Sequence, residues 1–104
     1  MGRELSGVIA CLQELEAACG VLQDREGLSR KGFVPLLRTK IREFFSQPSI
    51  GTATQVLNFI LRERELKPAH EGNQNPLTSQ VIIDGHATCL EGLAEELQEV
   101  LEEF

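Results

Sequence analysis

The sequence predicts an all-α protein, a compact four-helix bundle formed as one domain over residues 1–104. Apolar residues recur at steps of three and four in four separate segments, which puts each set on one helical face. With 104 residues and 41% hydrophobic content, the chain can bury one modest core and is too short for two. Four helices with one apolar stripe each hide those stripes only against one another. No internal repeat or low-complexity segment interrupts this pattern.

The first helix is expected over residues 4–20, on the stripe Leu5, Val8, Ile9, Leu12, Leu15, Cys19 and Leu22. Gly20 is read as breaking its last turn, and the polar QDREG of residues 23–27 as the connector. The second helix is expected over 31–46, with Phe33, Leu37, Ile41 and Phe44 on one stripe widened by Leu36 and Phe45. Pro35 belongs in its first turn, where the missing N–H would have no partner anyway. The third helix is expected over 52–66, opened by Thr52 and Gln55 as a capping box and carried by Val56, Leu57, Ile60 and Leu61. Residues 67–77, KPAHEGNQNPL, have prolines, a glycine and asparagines without apolar periodicity and read as a long loop. SQVIID fits either a short extended piece or a first helical turn. The fourth helix, 88–104, has the clearest stripe, formed by Leu90, Leu93, Ala94, Leu97, Val100, Leu101 and Phe104. Thr88 and Glu91 fit a capping box at its start, after a turn at Asp84-Gly85.

No apolar run approaches the roughly 20 residues that cross a bilayer. The N-terminal MGRELSGVIACLQELEAAC has no separate basic and apolar regions of a secretory signal. MGRELS does fit the pattern for acylation of Gly2, but acidic rather than polybasic residues follow, so no membrane partner is expected. Three widely spaced cysteines, Cys11, Cys19 and Cys89, suit free thiols in a reducing compartment, cytoplasmic or nuclear.

The net charge of −6 is unevenly spread. Residues 1–24 carry one basic and four acidic groups, net −3; residues 25–67 carry nine and four, net +5. Residues 68–104 carry eight acidic groups and no Lys or Arg, net −8. Arg30, Lys31, Arg38, Lys40 and Arg42 form the basic group, with Arg38 and Arg42 one turn apart. An acidic chain with no aromatic residue among those charges is a poor match for nucleic acid.

Asp84-Gly85 followed by Glu91 matches positions five, six and twelve of a calcium loop. That register puts Gln80 and Ile82 at positions one and three, where Ile82 has no side-chain oxygen and Gln80 only a neutral amide. His86 and Cys89 have the i, i+3 spacing of two ligands, or of a nucleophile and its base, on one helical face. A zinc site would have to borrow His70, Cys11 or Cys19, and no oxyanion hole is legible. No metal, cofactor or catalytic residue is therefore assigned, with Asp84 and Glu91 as the candidate metal ligands.

The order of segments resembles the small dimeric two-EF-hand calcium-binding family, over residues 5–101. GVLQDREGLSRKGF takes the place of its first loop, LSRKGFVPLLRTKIREFF of the following helix, FSQPSIGTA of the hinge, and IIDGHATCLEGL of the second loop. KPAHEGNQNP is an insertion relative to that pattern. The resemblance implies a degenerate EF-hand-like arrangement with weak or lost calcium binding. The residues themselves point to a non-catalytic protein-recognition or adaptor domain. Its expected contacts are Leu97, Val100, Leu101 and Phe104 on the acidic fourth helix, as a homodimer seam or a site for another protein, with Arg38 and Arg42 as a ridge for acidic groups.

Overall fold

Helices form where the apolar stripes run, and capping chemistry sets their ends. The computed structural model describes residues 5–26, 32–66 and 75–104. Within them lie α1 (Ser6–Glu26), α2 (Phe33–Ser46), α3 (Ile50–Leu66), β1 (Val81–Ile83), β2 (His86–Thr88) and α4 (Leu90–Glu102).

α1 runs six residues past its expected end, with Gly20 inside it. A glycine in a helix interior costs about 1 kcal/mol against alanine. Burial of the next stripe residue, Leu22, offsets that by roughly 1.5–3 kcal/mol. The missing side chain also leaves room for α2: a Cβ on Gly20 would lie 3.5 Å from the Arg38 guanidinium.

α2 starts from Gly32 in an extended conformation without a side-chain cap, and Pro35 falls in its first turn as expected. Its core face is Val34, Leu37, Ile41 and Phe44. Leu36 and Phe45 do not widen it; both are exposed. The helix stops at Gln47, whose N–H donates to the Glu43 carbonyl at 3.0 Å, with Pro48 beyond.

α3 opens earlier than Thr52. The Ser49 hydroxyl accepts the Thr52 N–H at 3.1 Å while Thr52 Oγ1 accepts the Ser49 N–H at 3.2 Å, a reciprocal box with Ser49 as cap. Ala53, Val56, Leu57 and Ile60 face the core.

The stretch before α4 is extended. β1 and β2 pair antiparallel, with Val81 opposite Thr88 and Ile83 opposite His86, leaving Asp84-Gly85 as a two-residue turn. Both turn residues have positive φ, 51° and 85°, as a primed hairpin turn requires. Val81 and Ile83 are buried, and β1 lies against α1. Arg25 at the end of α1 donates to the Gln80 carbonyl at 2.9 Å and fixes the lead-in strand.

Because Thr88 belongs to β2, it cannot cap α4. Cys89 does so instead: its extended backbone lets Sγ accept the Gly92 N–H at 3.4 Å. The Glu91 N–H is taken by the Leu77 carbonyl at 2.9 Å, which ties the helix start to the 75–80 segment. Loop residues 67–74 lie outside the described residues.

Packing closes a ring, with α1 and α3 each against both α2 and α4. Gly7 meets Val100 near the start of α1, and Arg38 lies against Gly20 near its end, so α4 and α2 both run antiparallel to α1. The shared core includes Leu12, Leu15, Leu22, Leu37, Ile41, Phe44, Ile60, Leu90, Leu93 and Leu97. The Cα radius of gyration, 13.3 Å, is that of a single folded unit. Four helices, one core and a small hairpin make this an all-α bundle.

Candidate protein-interaction surface

Among the described residues no charged or polar side chain is fully buried in the core. Its only titratable members are thiols. Cys19 is pushed up to about 12 by burial first, then by Glu16, with Arg38 opposing. Cys11 is raised by burial and then by Glu96 and Glu14. Both stay protonated and unreactive at neutral pH.

His86 and Cys89 do not share a helical face, because His86 is in β2 and Cys89 caps α4. Asp84 and Glu91 are likewise set apart: Asp84 is at the hairpin tip, where it lines a shallow cleft with Glu14, Gln13 and Ile83, and Glu91 is in the first turn of α4. Between residues 80 and 91 the chain forms the β1–β2 hairpin and then enters the first turn of α4. No group of three or more His, Cys, Asp or Glu side chains is placed to hold a metal ion among the described residues, and His70 lies outside them.

Arg38 and Arg42 have different situations. Arg38 Nε donates to Glu16 Oε1 at 2.7 Å and its NH1 to Gln23 Oε1 at 2.8 Å, clasping α2 to α1 over Gly20. Glu16 Oε2 is buried without a partner, so the clasp engages one carboxylate oxygen only. Arg38 is thus spent inside the fold, whereas Arg42 is exposed beside Thr39 and Leu36. Arg30 and Lys31 lie outside the described residues.

The end of α4 divides in the same way. Leu97 is 0% exposed and belongs to the core, so it cannot contact a partner. Val100 and Leu101 are half-buried against the core, and only Phe104, at 43%, stands clear. Glu95, Glu96, Glu99, Glu102 and Glu103 are exposed around them, with no ion pair among the described residues.

A second apolar surface lies between the start of α2 and the end of α3. Phe33 and Phe59 stack with ring centroids 5.3 Å apart and planes 4° from parallel. They floor a cleft of about 360 Å³ walled by Leu36, Leu66, Gly32, Arg62 and Glu63. Leu36 and Leu66 are 48% and 66% exposed. Leu36 also borders the cleft that holds Arg42, so the apolar groove continues into a basic one. Sequence reasoning missed this surface by treating Leu36 as core and passing over Phe59. The signal was spacing: Phe59 and Leu66 are seven apart on one face of α3, off the Val56, Leu57, Ile60 stripe.

No helix among the described residues is long and apolar enough to cross a membrane. No family model, curated protein or solved structure matches this chain.

Proposed function

We propose that this chain is a non-catalytic protein-recognition domain that takes an amphipathic segment of a partner into the groove between α2 and α3. The observation that carries this reading is the aromatic floor of Phe33 and Phe59 flanked by the two most solvent-open leucines of the groove, Leu36 and Leu66. An apolar cleft with a charged rim is the usual receptor for one face of a helix, with anchors spaced three or four residues apart. Arg62 on the groove wall beside Glu63, and Arg42 in the adjoining cleft, are exposed cations with no carboxylate partner among the described residues, which favours an acidic segment.

A panel of helical peptides with one apolar face and either acidic, neutral or basic outer faces tests this. In amide spectra of the labelled protein, the acidic peptides should shift Phe33, Leu36, Phe59 and Leu66 most, and Leu36→Glu should abolish the shifts. Absence of binding by every peptide, or shifts spread evenly over the bundle, refutes the reading.

A further inference from the structure

We infer that the groove's occupant is the end of α4 from a second copy of this chain, so that two antiparallel bundles clasp each other. This rests on the groove being a docking surface, and it names the partner. The chemistry of the two surfaces matches. Leu101, in the last turn of α4, is half-buried and Phe104, two residues past the helix end at Glu102 rather than inside the helix as expected, is exposed; both are flanked by Glu99, Glu102 and Glu103. The groove offers two stacked phenylalanines and two leucines beside Arg62 and Glu63, and through Leu36 it adjoins the cleft that holds the exposed Arg42. Neither set of charges is neutralised within the described fold: the one ion pair there, Arg38 with Glu16, uses none of them. The same complementarity separates residues 25–67, at net +5, from residues 68–104, at net −8.

A chain cannot satisfy its own groove with this segment. α4 ends beside Gly7, at the start of α1, whereas the groove lies where α2 begins, and its Leu36 shares a cleft with Gln23 near the end of α1. The helix between Gly7 and Gln23 holds those two places about 25 Å apart. A second copy lying antiparallel removes the separation. A two-fold axis across the bundles brings the α4 end of each to the groove of the other, a closed arrangement with two identical contacts. Phe104 and Leu101 then meet Phe33, Phe59, Leu36 and Leu66, and the glutamates meet Arg62 and its neighbours.

Sedimentation velocity of the full chain from micromolar to near-millimolar concentration is the test, together with titration of a synthetic LQEVLEEF peptide (residues 97–104) into the labelled chain. The wild type should dimerise, more weakly as salt rises. Leu36→Glu and Phe104→Glu, both at exposed positions, should each raise the dissociation constant at least about tenfold with melting temperature unchanged. Arg62→Glu and Glu102→Lys should each weaken the dimer, and together restore it. The peptide should shift the groove residues, whereas its scrambled form should not. A wild type that stays monomeric throughout, or a dimer indifferent to both Leu36→Glu and Phe104→Glu, overturns the inference. If the monomer's groove still binds the acidic helical panel, only the identity of the occupant falls; if it binds nothing, the docking reading falls with it.

Discussion

Replacing Gly20 with alanine tests the passage of α1 through that position, and the sign of the effect decides. Gly20 lies six residues inside the end of α1, and its backbone is not among those with positive φ. Alanine there gains helix propensity of about 0.8–1.0 kcal/mol, because the unfolded chain loses freedom that glycine would have kept. The new methyl would meet Arg38 NH2 at 3.5 Å and Cζ at 3.8 Å, ordinary contact distances that leave the Glu16 clasp in place. The expected result is a stabilisation of roughly 0.5–1 kcal/mol, which for a domain of this size raises the melting temperature by a few degrees. Urea unfolding monitored by circular dichroism reads it as a higher midpoint at unchanged slope. Had glycine ended the helix in a left-handed conformation, alanine would cost about 1 kcal/mol or more. A loss of stability would therefore refute both the helical Gly20 and the packing of Arg38 above it.

Substitutions at three other positions probe the remaining local devices. Cys89 is a thiol in a capping position, so Cys89→Ser should add roughly 0.5 kcal/mol and Cys89→Ala remove about as much, an order that equilibrium unfolding can check. Gly85 has φ of 85°, and a methyl there would have nothing within 4 Å, so Gly85→Ala should cost about 1 kcal/mol from backbone strain alone, again read by unfolding. Cys19 stays protonated in the fold up to about 12, against an ordinary value of 9.0. Its contribution is complete below pH 9 and is lost as pH rises toward 12, by up to about 1.4 kcal/mol per unit; wild type minus Cys19→Ala across that range should show this slope.

The helices were legible because a period of three and four survives any neighbour. Leu37, Ile41 and Phe44 on α2, or Leu90, Leu93 and Leu97 on α4, need no partner to be recognised as one face. Their ends were less legible, since caps compete. Ser49 and Thr52 satisfy each other, and Thr88 was taken by β2 before it could cap α4. The hairpin had its signal in plain view, with Asp-Gly between VII and HAT, but three-residue strands give too few alternations to separate an extended piece from a first helical turn. The candidate surface was the least legible part. Whether Leu36 faces core or water depends on where α3 lies, and the fate of Arg38 depends on Glu16, twenty-two positions away. Those are tertiary facts, which one helix's periodicity does not contain.

The end of α4 is held against its own electrostatics. Glu91 is favourably placed in the first turn, but Glu99, Glu102 and Glu103 crowd the negative end of the helix, with no basic residue in the last turn. Glu91 and Glu95, Glu95 and Glu99, and Glu99 and Glu103 are like-charged pairs at i, i+4, each unfavourable by about 0.2–0.5 kcal/mol before solvent screening. Together they oppose the helix by roughly 1 kcal/mol, so packing of Leu97, Val100 and Leu101 is what keeps its last two turns helical. Salt then acts with opposite signs on two observables. In the monomer it screens the repulsion, and amide exchange at residues 99–103 should slow as salt is added. In a clasped pair the glutamates face Arg62 and Arg42, so salt should loosen the pair and speed exchange at the same amides. Exchange measured on Leu36→Glu, which cannot offer the groove, isolates the first effect, and the wild type at high concentration shows both. If salt slows exchange equally in the two, α4 ends in water and meets no basic surface; if it slows exchange in neither, the repulsion is too weak to shape this helix.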